Sequence, residues 1–394
     1  MAVTVRNITV HNKKEALKEI TATGADESGC RLMAPKAVHR LIKLTGLSPK
    51  QANIIKQQML SKGGEAAVSR GSIDCSLEEV TVLIMGTLKQ YEGLLSVLKL
   101  QPFGLPKIAD KIRAVLKNLE GRPPFDLNCR GRVLRFGERT LVMGILNVTP
   151  DSFSDGGKFY EKERAVEQAL RMVAEGADII DLGGETTKPG YTPVTADEEI
   201  KRVIPVLEEL VNKIDVPISI DTTKAEVARR ALEAGAHIIN DQWSLRADPD
   251  IASVAAQYEV PLILMHNQEG TEYHDLMGDM ISFFEESIGM ALKAGVAREK
   301  IIIDPGIGFG KTVEQNLETM RRLEELDCLG LPVLLGTSRK SMIGKTLDLP
   351  VTERVEGTAA TVALGIAKGV DIVRVHDVKE MVRVVRMTDA MVRR

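Results

Sequence analysis

The 394-residue chain predicts a (β/α)₈ TIM barrel preceded by a small N-terminal α/β domain. Three observations lead there. Short β-branched runs alternate with helical stretches eight times beyond residue 140. A cluster of chain breakers at Gly121, Arg122, Pro123, Pro124, Phe125 and Asp126 sets that regular part off from what precedes it. Strand after strand then ends in or near a polar residue, as a barrel whose strands converge on one mouth requires.

Before the break, 3–10 reads as a strand and 11–21 as a helix. Stretches 35–44 and 49–60 read as helices, 80–85 as a buried strand and 106–119 as an amphipathic helix. This makes a domain over 1–122 of ordinary size. It carries no catalytic constellation, and His39 and Cys75 read as structural. After the break, 132–136 reads as a half-exposed strand and Gly137-Glu138 as the turn of a small hairpin leading into the next apolar run.

The barrel is assigned to 128–394. Its strands are expected at 142–148, 179–184, 218–222, 237–241, 262–266, 301–306, 333–338 and 371–377. Several are near-continuous apolar runs, as strands buried on both faces are. The helices between them carry apolar residues at i, i+3, i+4 and i+7: Val166, Ala169, Leu170 and Val173, then Ile200, Val203, Ile204 and Leu207. The alternative, an open doubly wound sheet, usually has fewer strands, and its phosphate fingerprint is missing. The polar strand ends are Asn147, Asp181, Asp221, Asn240 with Asp241, His266, Asp304, Ser338, and Arg374 with His376. Any one of these is as readily a helix cap or turn residue. Eight strands in succession are not so explained.

Composition narrows the function classes. A net charge of −3 and 4% aromatic residues speak against nucleic acid and against an anionic membrane surface. The four cysteines (Cys30, Cys75, Cys129 and Cys328) form no C-x-x-C pair, which argues against zinc or iron–sulfur sites. Residues 1–10 lack a signal pattern, and no apolar run approaches the roughly 20 residues of a membrane span. A cytoplasmic protein with free thiols is the expectation.

Five segments of the barrel resemble, in order, the signatures of the dihydropteroate synthases. They are MGILNVTPDSFSDGG (143–157), DLGGETTKPG (181–190), DPGIGFGK (304–311), GTSRKS (336–341) and RVHD (374–377). The resemblance implies a Mg²⁺-dependent transferase. It would join 6-hydroxymethyl-7,8-dihydropterin pyrophosphate to p-aminobenzoate, commonly as a homodimer. It places Asp221, Asn240, Asp304 and Lys340 on the pterin. A carboxylate matches the paired N–H groups of a pterin edge, and charge-assisted bonds are the stronger kind. Asn147 is assigned to the metal, and Asn147, Arg374 and His376 to the pyrophosphate. Phe153, Thr187, Lys188, Pro189, Phe309 and Ser341 are assigned to p-aminobenzoate, and Asp155 lies near the incoming amine. Asp155, Lys340, Arg374 and His376 make up the expected catalytic set, with loops around Phe153 and Lys188 closing over the reacting carbon.

Three departures from the family pattern stand out. Lys188 replaces the usual arginine, Gln242-Trp243 replaces small residues, and Asn267-Gln268 is a variant run. None is expected to touch a residue assigned to chemistry. Residues 306–312 superficially resemble a P-loop, but Pro305 stands where that motif needs glycine. A structural Arg374–Asp377 pair is the plain alternative for the last motif. Two competing functions share parts of the pattern: a pterin-binding methyltransferase acting with a corrinoid protein, and a non-enzymatic pterin-binding module. The first would not need the 143–157 loop, the Ser-Arg-Lys run or the Arg374/His376 pair.

Overall fold

The computed structural model describes residues 2–148, 158–185 and 194–393. The chain divides into two compact units, Met1–Arg122 and Pro123–Arg394.

The N-terminal unit runs α1 (Lys13–Thr21), α2 (Glu27–Ala37), β1 (His39–Leu47), α3 (Pro49–Ser61), β2 (Glu65–Val68), β3 (Val80–Thr87), α4 (Leu88–Leu98) and α5 (Leu105–Asn118). Its sheet has the order β1-β3-β2 and is antiparallel. Strict alternation along β3 buries Val80, Val82 and Ile84 against Ile55 and Met59 of α3, Leu94 and Leu98 of α4 and Ile112 of α5. Capping boxes at Ser48 and Thr87 start α3 and α4. Two expectations fail here. Residues 3–10 form no strand, because no neighbour pairs with them. Residues 35–44 are not a helix. Pro35 lies in the end of α2, and His39–Leu47 is a strand paired with β3. The apolar spacing of Leu41, Ile42 and Leu44 fits either period, and the pairing decides.

The second unit opens with a hairpin, β4 (Phe125–Cys129) and β5 (Arg132–Phe136). The hairpin turn is Arg130-Gly131, both with positive φ, and not Gly137-Glu138. The partner of 132–136 is therefore the segment before it, and the breaker cluster ends one or two residues earlier than expected. Phe125 and Phe136 stack across the hairpin at 5.0 Å. Arg130 and Arg132 donate to the carbonyls of Leu232, Ala236 and Val211, which lie at or beyond the ends of barrel helices.

Then follow β6 (Leu141–Asn147), α6 (Lys158–Glu175), β7 (Ile179–Gly183), α7 (Ala196–Val211), β8 (Ile218–Asp221), α8 (Ala225–Glu233), β9 (Ile238–Asp241), α9 (Asp250–Gln257) and β10 (Leu262–Met265). The chain continues through α10 (Leu276–Lys293), β11 (Ile301–Asp304), α11 (Val313–Arg321), β12 (Leu334–Leu335), α12 (Ser341–Leu347), α13 (Val355–Ala367), β13 (Ile372–Val375) and α14 (Val378–Val392). The eight parallel strands have the order β11-β10-β9-β8-β7-β6-β13-β12, and a bridge from Ile303 to Val333 closes the ring. The expected barrel is present. Most of its strands end a residue or two early, since their polar ends leave the ladder. β12 is the extreme case, with regular pairing only at Leu334 and Leu335. The helices pack as their spacing requires, with Val203 and Leu207 fully buried, although Leu170 stays 38% exposed.

Inside the barrel, Met143, Ile179, Ile238, Ile263, Ile302, Leu334 and Ile372 form one apolar layer, packed on Leu127, Leu134 and Phe136 of the hairpin. The hairpin thus plugs the N-terminal end. Residues two apart on a strand share a face. Two steps beyond Ile179, Ile238, Ile302 and Ile372 come Asp181, Asn240, Asp304 and Arg374. The apolar floor and the polar mouth are therefore consecutive layers of one alternation.

Candidate active site

The polar layer is joined by hydrogen bonds. Arg374 on β13 donates through Nε to Asp181 Oδ2 at 2.6 Å and through Nη2 to Asp221 Oδ2 at 2.7 Å. Asn240 on β9 donates to Asp181 Oδ2 at 3.1 Å. One guanidinium thus sits between two carboxylates, all of them screened from water: Asp181 is fully buried and the Arg374 side chain is 16% exposed. Burial pushes Asp221 up to about 7, against the pull of Arg374 and of Gln242.

Asp304 closes β11. Gly306 N donates to its Oδ1 at 2.7 Å, a turn that glycine permits at φ 64°. A Cβ at Gly306 would stand 1.9 Å from the His266 carbonyl oxygen. Burial raises Asp304 to about 6, with Gly306 N–H and Lys340 opposing. Neither Asp221 nor Asp304 caps a helix: α8 begins after Lys224 and α11 after Thr312. Lys340 precedes α12, and its ammonium lies 3.9 Å from the Phe309 ring centroid. Burial lowers it to about 8. Ser341 is the first residue of α12.

His376 takes up Ser338 Oγ at 3.0 Å from its Nδ1, and burial with Arg374 and Arg339 nearby lowers it to about 4, so the ring is neutral at pH 7. Asp377 pairs with Arg339 (Nε to Oδ2, 2.9 Å), not with Arg374. Asn147 ends β6. Its Oδ1 and Asp221 Oδ2 lie 3.6 and 3.7 Å from the point where Gly183 would carry a Cβ. Lys311 turns inward to His266 Nδ1 at 2.8 Å and to the carbonyls of Gly306 and Phe309, which does not present it to a phosphate. The P-loop likeness is thus superficial.

Asn147, Asp221, Asn240, Asp304, Phe309, Lys340, Ser341, Arg374 and His376 all lie at or just beyond the C-terminal ends of barrel strands. Phe153, Asp155, Thr187, Lys188 and Pro189 lie outside the described residues. Two residues escaped assignment from sequence. Asp181 was visible as a strand end, yet nothing marked it as the partner of Arg374. Gln242 stands in the sequence only as a departure expected to touch nothing assigned. That expectation is corrected: Gln242 Nε2 lies 2.7 and 2.6 Å from the two oxygens of Asp221. Flanking the site, Lys224 holds both Glu185 and the fully buried Glu199.

Residues 143–376 match the family described as "Pterin binding enzyme". The dihydropteroate synthase of Clostridium beijerinckii is 58% identical over 259 residues, 66% of this chain and 96% of that one. A solved structure of the dihydropteroate synthase from Clostridium difficile in the presence of pteroic acid is 56% identical. It covers 66% of this chain and 99% of its own, at a TM-score of 0.65. A probable bifunctional folylpolyglutamate synthase/dihydropteroate synthase of Haloferax volcanii is 39% identical over 395 residues. That match spans 96% of this chain, the N-terminal unit included, and 46% of the other protein. With a polar barrel mouth of this make-up and likeness of this extent, the chain belongs to the pterin binding enzymes and, among them, to the dihydropteroate synthases, with an additional N-terminal unit.

Proposed function

We propose that the chain condenses 6-hydroxymethyl-7,8-dihydropterin pyrophosphate with p-aminobenzoate, giving 7,8-dihydropteroate and pyrophosphate. The observation that carries this reading is the buried polar mouth: three carboxylates (Asp181, Asp221 and Asp304), the Asn240 amide, the Arg374 guanidinium and the Lys340 ammonium. Pteroic acid, present with the Clostridium difficile relative, is the pterin and p-aminobenzoate already joined. Asp221, Asn240 and Asp304 accept from and donate to the pterin edge, and Lys340 donates to its carbonyl. A ring without those groups leaves buried polar atoms unpaired, which is how such a mouth discriminates. Phe309 and Ser341 border the p-aminobenzoate, the ring against Phe309 and the carboxylate at Ser341. Phe153, Asp155, Thr187, Lys188 and Pro189, outside the described residues, keep the p-aminobenzoate roles that the family resemblance implies.

The reaction is a substitution at the pterin CH₂ group. The C–O bond to pyrophosphate breaks, the C–N bond to the arylamine forms, and the amine releases a proton. The pterin ring spreads the positive charge that develops as the leaving group departs, so no covalent enzyme intermediate is needed. His376 and Arg374 face the pyrophosphate. Asn147 ends β6 with a side-chain amide oxygen, a hard donor of the class that Mg²⁺ takes. Asn147 would hold the ion, with water and phosphate oxygens beside it, and the ion would stabilise charge on the leaving oxygens.

The reaction reading is tested by mixing the pterin pyrophosphate, p-aminobenzoate and Mg²⁺ with the protein. Stoichiometric pyrophosphate and dihydropteroate are expected, and absence of pyrophosphate release refutes the assignment. We place the enzyme in the cytoplasm as a homodimer. No helix among the described residues is long and apolar enough to cross a membrane. Leu364 of α13 and Met387, Met391 and Val392 of α14 are exposed apolar side chains, 41 to 62% accessible, on two helices that pack together. Replacing Met387 and Met391 by Glu is expected to give monomers in light scattering.

A further inference from the structure

We propose that Gln242 is a positioning residue for pterin recognition, acting through Asp221; the proposal rests on the reading of that mouth as a pterin site. Its amide nitrogen sits 2.7 Å from Oδ1 and 2.6 Å from Oδ2 of the carboxylate, so a single donor straddles both oxygens. Arg374 takes a second position on Oδ2. A carboxylate has about four acceptor positions. With those three donations made, one position remains, on Oδ1. Gln242 and Arg374 together therefore fix the plane of Asp221 and decide which lone pair a ligand N–H can reach.

The local backbone supports this assignment independently. Gln242 follows β9 in a turn that runs through Trp243 to Ser244 and Leu245, whose φ are 50° and 68°. Two successive non-glycine residues in the left-handed region are costly, and such strain persists where the surroundings over-determine it, commonly at functional sites. Here the buried Asp241 carboxylate imposes it, accepting from Trp243 N at 2.9 Å and Leu245 N at 2.6 Å. Ser244 Oγ donates to the Met265 carbonyl at 2.8 Å and pins the turn to the next strand. This arrangement holds the Gln242 side chain, which is 6% exposed, beside β8. Its Oε1 is buried without a hydrogen-bond partner, a cost that a merely space-filling residue would not carry. Besides Gln242 and Arg374, the charged groups bearing on Asp221 are Asp181, Glu199 and Lys340.

The test compares Gln242→Met and Gln242→Glu with the unaltered protein. Affinity for 6-hydroxymethylpterin and for inorganic pyrophosphate is measured by calorimetry, and folding is checked by thermal unfolding. Loss of one hydrogen bond to a charged group is worth about a tenfold change. Gln242→Met is expected to weaken pterin binding about tenfold and leave pyrophosphate binding unchanged. Gln242→Glu sets a like charge against Asp221 and is expected to weaken pterin binding further. A packing role predicts the reverse order, because Glu has the shape of Gln and Met does not. Unchanged pterin affinity in both variants, or Glu milder than Met, overturns the inference. A failed fold in one variant leaves the other to decide, and pterin binding by the unaltered protein is read apart from turnover. Lack of turnover would thus count against the reaction and not against Gln242.

Discussion

At the scale of single residues, the barrel mouth holds ionisable groups at unusual values because it is dry. Asp304 titrates at about 6 where an unburied aspartate has 3.8. The folded protein binds that proton more tightly than the unfolded chain. Ionised Asp304 therefore costs stability above pH 6, and the cost fades as pH falls towards 4. A pterin edge presenting N–H donors favours the anion, so binding draws the value back down. Calorimetry near pH 6 in buffers of differing ionisation enthalpy is expected to show proton release on binding, with affinity falling as pH drops through 6. Proton uptake would contradict the placement. Asp304→Ala removes two charge-assisted bonds and is expected to reduce pterin affinity about 100-fold or more. Arg374 differs from its sequence reading in one respect. Its Nε and Nη2 are already engaged by Asp181 and Asp221. Arg374→Ala strands two buried carboxylates, and a loss of about 3–5 kcal/mol is expected in urea unfolding, besides weaker binding of pyrophosphate. The strand-end carboxylates were legible as residue types in sequence. Their pairing with Arg374, far along the chain, carries no local signal.

At the scale of elements, the β4–β5 hairpin has the most to do with the site without touching it. It packs Leu127, Leu134 and Phe136 against the apolar layer of Met143, Ile179, Ile238, Ile302 and Ile372, which in turn underlies the layer that carries Asp181, Asn240, Asp304 and Arg374. Phe136 is 1% exposed, so Phe136→Ala is expected to cost about 3–5 kcal/mol in the unfolding of the barrel. Packed layers transmit such a void upward, and a lowered pterin affinity should accompany it. From sequence the strand 132–136 was legible and its partner was not. Alternation along 132–136 says which face is buried, whereas the Arg130-Gly131 turn, with an arginine at positive φ, is not a turn signal. The helix–strand exchange at 39–47 has the same origin, since a short apolar run without clear period takes its form from what it pairs with.

At the scale of the molecule, the two compact units invite separation. A chain of residues 123–394 is expected to fold and to release pyrophosphate, because every residue assigned to the chemistry lies within it; a folded but inactive fragment would give the N-terminal unit a catalytic part. Eight β–α alternations, apolar helical stripes and the succession of polar strand ends determined the barrel from the sequence alone. Those features are local, repeated and set by side-chain period. The same alternation dictated that residues such as Asp304 and Arg374 would stand one layer above isoleucines. Only the tertiary structure decided which of them touch. Closing the ring brings β7, β8, β9 and β13 together, so Arg374 meets Asp181 and Asp221, and the strained turn after β9 delivers Gln242 to the same carboxylate. Contacts of that kind depend on chain closure and on burial, and neither is a property of any stretch of sequence taken by itself.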